Sequence, residues 1–359
     1  MKITVLGGGN GSYAAAADLA DLGHEVALWR RDVAALGPVL ETHRLVLKDA
    51  DGRREVSLAK VTPDIREAVR GAALIVVPTP AFAQRDIATA LAPYLVDGQV
   101  IFLPPGTFGS YAMMRALRAS GCGADLSIAE TGTLPWLARK HGPAEVAVTI
   151  RATRLPTGVF PTRNAAHAFP VLREAFPSVE PIEDALAGAL MNAGPVIHPP
   201  LILMNAGPLE HFERWDIHNE GTQPSIRRVT NALDAERIAV REALGYTGEH
   251  FPLRDHYEND RWMYGDAHKR LVDSGDWREH IVLDRHRYMT EDVHYGLAFL
   301  VSVAEWAEVA APVAKGLLAI ASAICGKDLR AGERTLEALG LAGLSRDGMA
   351  TLLAQGDLV

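Results

Sequence analysis

The chain has 359 residues and a mass of 38.7 kDa, enough for two or three domains of ordinary size. Hydrophobic residues make up 48% and charged residues 22%, which excludes a disordered or fibrous protein, and a formal charge of −8 argues against a nucleic-acid binder. Two cysteines, Cys122 and Cys325, are too few for a disulfide framework and fit a reducing cytosol.

The first residues, Met1 to Leu6, enter a strand at once and leave no room for a signal peptide. The most apolar runs are 186–207 and 309–325. Asn192, Pro195 and His198 interrupt the first, and Pro312 and Lys315 the second. Neither offers the roughly 20 clean apolar residues of a membrane span. A soluble, cytoplasmic protein with no membrane partner is expected.

Residues 1–184 alternate short apolar runs with helical patterns. Strands are expected at 2–6, 24–29, 73–77, 99–103, 126–130, 145–150 and 178–182, and helices near 11–22, 64–70, 81–95, 109–120 and 163–175. This alternation predicts an α/β fold, a doubly wound, Rossmann-type parallel sheet with helices on both faces. The stretch 44–59 interrupts it and reads as a β-hairpin around Asp51-Gly52. From 185 to 359 the period becomes helical, and an all-α domain is expected. Ile226, Val229, Leu233, Val240 and Leu244 mark one helix, with Ser225 as N-cap, and further helices are expected at 297–310, 312–325, 330–339 and 346–355.

The first chemical signal is Gly7-Gly8-Gly9-Asn10-Gly11-Ser12, set between an apolar strand and an Ala-rich helix. Gly7 would make the tight turn, Gly9 would admit a pyrophosphate, and the small Ser12 would let the helix pack on the sheet. Asn10 and Gly11 complete a turn whose free N–H groups face the phosphates. The second expected strand ends in Arg30-Arg31, where an NAD site usually carries an acid. Arginine there suits a 2′-phosphate, so NADP(H) is favoured over NAD(H). Two other readings stay open: Asp32 restores an acid if the register shifts by two, and both arginines are solvated surface charges. Pro78, in Val76-Val77-Pro78-Thr79-Pro80, and the run Leu103-Pro104-Pro105-Gly106-Thr107 fall at strand carboxyl ends, beside the cofactor or as ordinary turns.

Among 13 histidines, His198 stands apart in Asn192-Ala-Gly-Pro-Val-Ile-His198-Pro-Pro, an apolar segment at the junction of the two halves. The prolines would stop or kink a helix there. A catalytic histidine and a satisfied core histidine are both open readings. The cluster Arg287-Tyr-x-x-Glu291-Asp292-Val293 offers an arginine and carboxylates about one helical turn apart, or else an exposed charged helix start. A histidine–carboxylate pair plus an arginine suffices to reduce a 2-oxo acid or its imine. The carboxylate would orient the imidazole and raise its pKa, and the arginine would clamp the substrate carboxylate. No His-Glu-x-x-His or Cys-x-x-Cys spacing occurs, so no metal site is expected.

These residues resemble the opine dehydrogenase family, the octopine/nopaline dehydrogenase group, over nearly the whole chain. The likeness rests on Gly7-x-Gly9-Asn10-Gly11, Asn192 through His198-Pro199, Glu220-Gly-x-x-Pro224-Ser225, Leu233-Asp-Ala-Glu-Arg-Ile238 and Arg287-Tyr-x-x-Glu291-Asp292-Val293. It implies reductive condensation of an amino acid or amine with a 2-oxo acid such as pyruvate, giving a secondary amine. It also implies that His198 is the catalytic histidine, Asp292 its carboxylate partner and Arg287 the substrate-carboxylate ligand. Thr107, Thr131 and Asn192 are carried as polar substrate contacts. Relatives include monomers and dimers, so a homodimer is among the states the resemblance allows. The alternative is a carbonyl-reducing dehydrogenase of the glycerol-3-phosphate, ketopantoate or 2-hydroxy acid type. Those enzymes use a helical-domain lysine, and 186–214 contains none. The stretch 246–283 matches nothing clear and is expected to carry substrate selection.

Overall fold

The computed structural model describes residues 1–265, 270, 273–275 and 280–356; ten residues of the 246–283 stretch therefore lie outside the described residues. Two compact units emerge. One comprises Met1–Ala189 together with the C-terminal stretch that starts at Leu352, and the other comprises Leu190–Thr351.

The first unit is built on eight strands in the order β12-β11-β8-β7-β6-β1-β2-β5. These are β1 (Lys2–Leu6), β2 (Glu25–Trp29), β5 (Lys60–Thr62), β6 (Leu74–Val76), β7 (Val100–Leu103), β8 (Ser127–Thr131), β11 (Leu155–Phe160) and β12 (Val179–Pro181). β1, β6 and β7 are Val/Ile/Leu-rich and almost wholly buried, as strands covered by helices on both faces must be. β1 pairs in parallel with both β2 and β6. The chain therefore runs outward in one direction through β2 and in the other through β6, β7 and β8. The carboxyl ends of β1 and β6 form the switch point where doubly wound sheets bind ligands. The sheet is mixed, not purely parallel, because β11 lies antiparallel to β8.

The predicted hairpin forms as β3 (Arg44–Asp49) and β4 (Gly52–Ser57), but it is half of a second sheet. That sheet runs β4-β3-β10-β9, with β9 (Trp136–Lys140) and β10 (Glu145–Arg151). The run 145–150 thus belongs outside the main sheet. Three strands were not legible in sequence. β5 has three residues, β9 is Trp-Leu-Ala-Arg-Lys, and β11 carries Pro156 and Gly158, which read as breakers.

A charged network ties this second sheet to helix α1 (Asn10–Asp21). Asp18 accepts from Trp136 Nε1 at 2.6 Å and from Arg151 Nη2 at 2.6 Å, and Arg151 also reaches Asp49 at 2.6 Å. Arg54 bridges Asp49 (2.8 Å) and Asp21 (2.6 Å). The Arg54 guanidinium, more than burial opposes it, holds the carboxyls of Asp49 and Asp21 below the usual range. A depressed carboxylate pKa stabilises the fold above the unfolded value near 3.9, and that stability drains away as pH falls through the folded value. Asp49→Asn is expected to lower stability at neutral pH by about 2–3 kcal/mol and to flatten the loss on acidification. Chemical denaturation at pH 7 and pH 3 tests this, and coincident curves for the two proteins at pH 7 would remove the network from the account.

The second unit is helical. Its long helix, Pro224–Ala243, begins two residues earlier than Ser225 would set it: Gln223 is the N-cap and Pro224 the first helical residue, where its fixed φ and missing N–H are harmless. Asp234 and Arg237 on this helix pair at 2.7 Å in the interior. Arg237 then donates to the Leu190 and His250 carbonyls, and Asp234 accepts from the Leu253 N–H. Between them Glu236 accepts from Val313 and Ala314 at the start of the Pro312–Cys325 helix. The Asp-Ala-Glu-Arg run is thus a packing device. The predicted helix at 330–339 does not form. A short 3-10 turn, Leu329–Ala331, is followed by irregular turns, because Asp328 and Thr335 bond locally to the backbone and Gly332 and Gly340 interrupt the pattern.

The run Ala185–Met204 corrects one reading of the sequence. It has the length and mean hydropathy (1.3) of a membrane span, yet 83% of its most apolar window is buried inside the protein. It breaks into two helices, Ala185–Ala189 and Gly194–Met204. Pro199 and Pro200 also behave differently from expectation, since the second helix continues through both to Met204.

Candidate functional site

At the switch point, Gly7 follows β1 with φ +115° and donates to the Trp29 carbonyl at 2.8 Å. Ser12 is buried and donates to the Leu6 carbonyl at 3.2 Å, which locks α1 against β1. The N-cap Gly9 offers no side-chain bond to the helix, so the first N–H groups of α1 stay uncapped, and the space over Gly9 is open. Gly11 packs on Pro78 at the end of β6. The Thr79 hydroxyl, beside Gly7, is buried with no hydrogen-bond partner. An open glycine turn, uncapped N–H donors and an orphaned hydroxyl fit a dinucleotide pyrophosphate.

Around this turn, Asn10 spends its Oδ1 on the Lys140 N–H at 3.0 Å. Arg30 donates to the Ala35 carbonyl at 3.0 Å and lies over Gly8, while Arg31 is exposed. Asp32 accepts from the Ala35 N–H at 3.1 Å, so its carboxylate caps the next turn.

The loop after β7 is the other built feature of this unit. It carries a cis Pro104–Pro105 bond and two successive residues in the left-handed region, Thr107 (φ 54°) and Phe108 (φ 58°). Non-glycine residues adopt that conformation at a cost and need holding. Glu130 holds them: wholly buried on β8, it accepts from Phe108 N–H (2.7 Å), Ser110 N–H (3.1 Å) and the Ser110 hydroxyl. Thr107 is itself buried, and the hydroxyl of Thr131 donates to the Pro156 carbonyl at 2.8 Å.

In the helical unit, His198 sits on the Gly194–Met204 helix and Asp292 on the segment Tyr288–Leu297. That segment is a π-helix, bonding to the fifth residue instead of the fourth, a form often found at functional sites. Its wide turn brings positions four to five apart onto one face. Tyr288 and Asp292 therefore both meet His198. His198 Nδ1 lies 2.7 Å from Asp292 Oδ2, and its ring stacks on Tyr288 with centroids 3.7 Å apart and an 11° tilt. The carboxylate places the proton on Nδ1 and leaves Nε2 as the basic nitrogen, with no hydrogen bond to a described residue. The Tyr288 hydroxyl reaches His218 Nε2 at 2.8 Å.

Two glycines make this approach feasible. A Cβ on Gly194 would fall 2.1 Å from Asp292 Oδ1, and one on Gly296 would fall 2.2 Å from Pro195. The buried Asn192 accepts from the Gly194 N–H at 3.1 Å and so shapes the entry to the His198 helix. Arg287 is exposed beside the pair and its charge is felt at His198.

The imidazole corrects another expectation. Asp292 does favour the protonated form, but burial outweighs it, Arg287 and His286 add to burial, and the pKa of His198 is lowered. A neutral imidazole oriented by a carboxylate is the resting state at neutral pH.

Comparison with known proteins gives a consistent result. Residues 2–104 match the NAD-dependent glycerol-3-phosphate dehydrogenase N-terminus, and residues 181–325 match the NAD/NADP octopine/nopaline dehydrogenase, alpha-helical domain. An opine dehydrogenase from Arthrobacter sp. (strain 1C) is 29% identical over 96% of each chain. Octopine dehydrogenase in complex with NADH and agmatine has the same fold, with a TM-score of 0.74 over 99% of this chain and 98% of that one at 21% identity. NADP+-bound yersinopine dehydrogenase follows at a TM-score of 0.67, 18% identity and the same coverage. The chain is thus similar to opine dehydrogenases over nearly its whole length.

The chain carries several residues at its sites that sequence reasoning missed. Tyr288 had a signal, four positions before Asp292 in the Arg287 motif. His218, Glu130 and Lys140 had none, since each comes from an element with no local mark of function. Among the described residues no cluster of three or more His, Cys, Asp or Glu could hold a metal.

Proposed function

We propose that this chain is an NAD(P)H-dependent opine dehydrogenase, which joins the amino group of an amino acid or amine to a 2-oxo acid and reduces the product to a secondary amine. The observation that carries the reading is the His198–Asp292 pair at 2.7 Å, with Arg287 beside it, in a chain that also holds the glycine turn. The likeness to proteins named opine dehydrogenase over nearly their full length supports it. Gly7, Gly9, Gly11, Ser12 and Pro78 would hold the dinucleotide, and Arg30 beside Gly8 favours NADP(H). When bound, the reduced nicotinamide supplies the hydride.

The chain's own work is proton transfer and placement. Attack of the amine on the oxo carbon leaves a proton on nitrogen, and loss of the hydroxyl as water requires a proton on oxygen. His198 Nε2, unengaged and basic, takes the first and delivers the second, while Asp292 keeps Nδ1 protonated and steadies the imidazolium between the steps. Arg287 clamps the oxo-acid carboxylate through paired N–H donors. Overall the condensation consumes one proton from solution. Thr107 and Thr131 are proposed as substrate contacts near strand ends, Asn192 as the residue that orients the His198 helix, and the cytoplasm as the place of action.

Oxidation of NADPH or NADH, followed by the loss of the reduced-nicotinamide absorbance, tests the reading with pyruvate or glyoxylate and a panel of amino acids. Oxidation is expected only with oxo acid and amine together, and faster with NADPH. Oxidation by the oxo acid alone, unaffected by amines, would move the chain to the carbonyl-reducing class.

A further inference from the structure

Two cations meet at the glycine turn without an acid between them. Lys140 arrives from β9, the last strand of the second sheet, where it pairs with Val146 of β10. Its Nζ lies 3.4 Å from the Gly8 carbonyl and 3.5 Å from the centroid of the Tyr13 ring. Arg30 comes from the end of β2 and covers the same glycine: a Cβ built on Gly8 would fall 2.6 Å from its Nε and Nη1. Neither side chain forms an ion pair with a described residue. Tyr13, wholly buried, meets both: the Lys140 ammonium sits over its ring and the Arg30 charge is felt at its hydroxyl.

Arg30 is held by a backbone carbonyl, and Lys140 by a carbonyl and a ring. Each disfavours the other, and burial followed by the Arg30 charge lowers the pKa of Lys140. An anion placed between them would relieve both penalties. In a doubly wound sheet the pyrophosphate takes the N-terminus of the first helix, here at Gly9, and the ribose 2′ substituent lies beside the end of the second strand, here at Arg30. We propose that Lys140 and Arg30 together grip the 2′-phosphate of NADP(H), so that the second sheet is a cofactor-selecting device. The Asp18 bonds to Trp136 and Arg151 fix that sheet against α1 and so deliver Lys140 to the turn. The inference rests on the dinucleotide-dependent function proposed above and names which cofactor its turn selects.

The test is direct binding, without turnover, of 2′,5′-ADP and of 5′-ADP, which lacks the 2′-phosphate. Titration calorimetry would compare the wild type with Lys140→Met, which keeps the chain length but not the charge, and Lys140→Arg, which keeps the charge. The wild type is expected to prefer 2′,5′-ADP. Lys140→Met should weaken that ligand by about 10–100-fold, the worth of one charge-assisted contact, and leave 5′-ADP within about two-fold. Lys140→Arg should retain most of the preference. Equal weakening of both ligands would assign Lys140 to the pyrophosphate or to the turn itself, and no change in either would remove it from the site; both overturn the proposal. A chain that binds these ligands as expected but oxidises no NADPH with any amine and oxo acid supports the phosphate grip while refuting the condensation function.

Discussion

His198→Ala is expected to lower the turnover of reductive condensation by about 10²–10⁴-fold, the usual worth of a positioned general acid–base, while nucleotide affinity stays at the wild-type value. The structure makes the loss specific. Only Nε2 of this imidazole is oriented by a carboxylate and left unengaged, and the stacked Tyr288 ring cannot replace it. Asp292→Asn separates orientation from charge. An amide at that position can donate to Nδ1 and so favours the tautomer with the proton on the wrong nitrogen. It also removes the one neighbour that raises the His198 pKa, so the value falls further below its ordinary position near 6.5. In the condensation direction, where His198 first acts as a base, the limb of the pH–rate profile that needs neutral His198 should move to lower pH in Asp292→Asn. In the reverse direction, the limb that needs the neutral base should move the same way. Steady-state rates across pH 5–9 would show it, approximately. Wild-type turnover in His198→Ala would refute the assignment, and an unshifted limb in Asp292→Asn would refute the coupling.

Arg287→Met is expected to raise KM for the 2-oxo acid by about 10²-fold, with a smaller change in KM for the nicotinamide cofactor. The side chain is exposed next to His198, so its removal opens no cavity in the core. Lysine at the position would restore a point charge but not the paired N–H geometry, so Arg287→Lys should recover part of the loss. The variant has a second signature of opposite sign to Asp292→Asn: the Arg287 charge disfavours imidazolium, so its loss raises the His198 pKa. An oxo-acid KM within about three-fold of wild type in Arg287→Met would remove the arginine from the substrate site.

Local chemistry was readable wherever a residue's task involves its near neighbours in the chain. The strand–glycine–helix run from Lys2 to Asp21 declares itself because turn, dipole and packing all act within twenty residues. The helix at 346–355 does so through Ser345 and Gly356, which stand at its ends as cap and stop. His198, Arg287 and Asp292 stand out by their settings and by the likeness to opine dehydrogenases.

Long-range chemistry was not readable in this way. That His198 and Asp292, 94 positions apart, come within 2.7 Å depends on two glycines that allow close helix approach and on the widened turn at Tyr288–Leu297. The direction of the His198 pKa shift depends on burial, which no sequence spacing encodes. Prolines at 199 and 200 read locally as a helix stop, but the segment is helical through them because packing outweighs propensity. Glu130 carries the same lesson, since a buried carboxylate acquires its role from what the fold sets beside it. Composition, period and turn chemistry thus determined the fold class and the glycine turn, because they act over a few residues. The charge state of the histidine, the support of the Thr107 loop and the cation pair over Gly8 were settled by packing, because burial and electrostatics depend on distance in space and not along the chain.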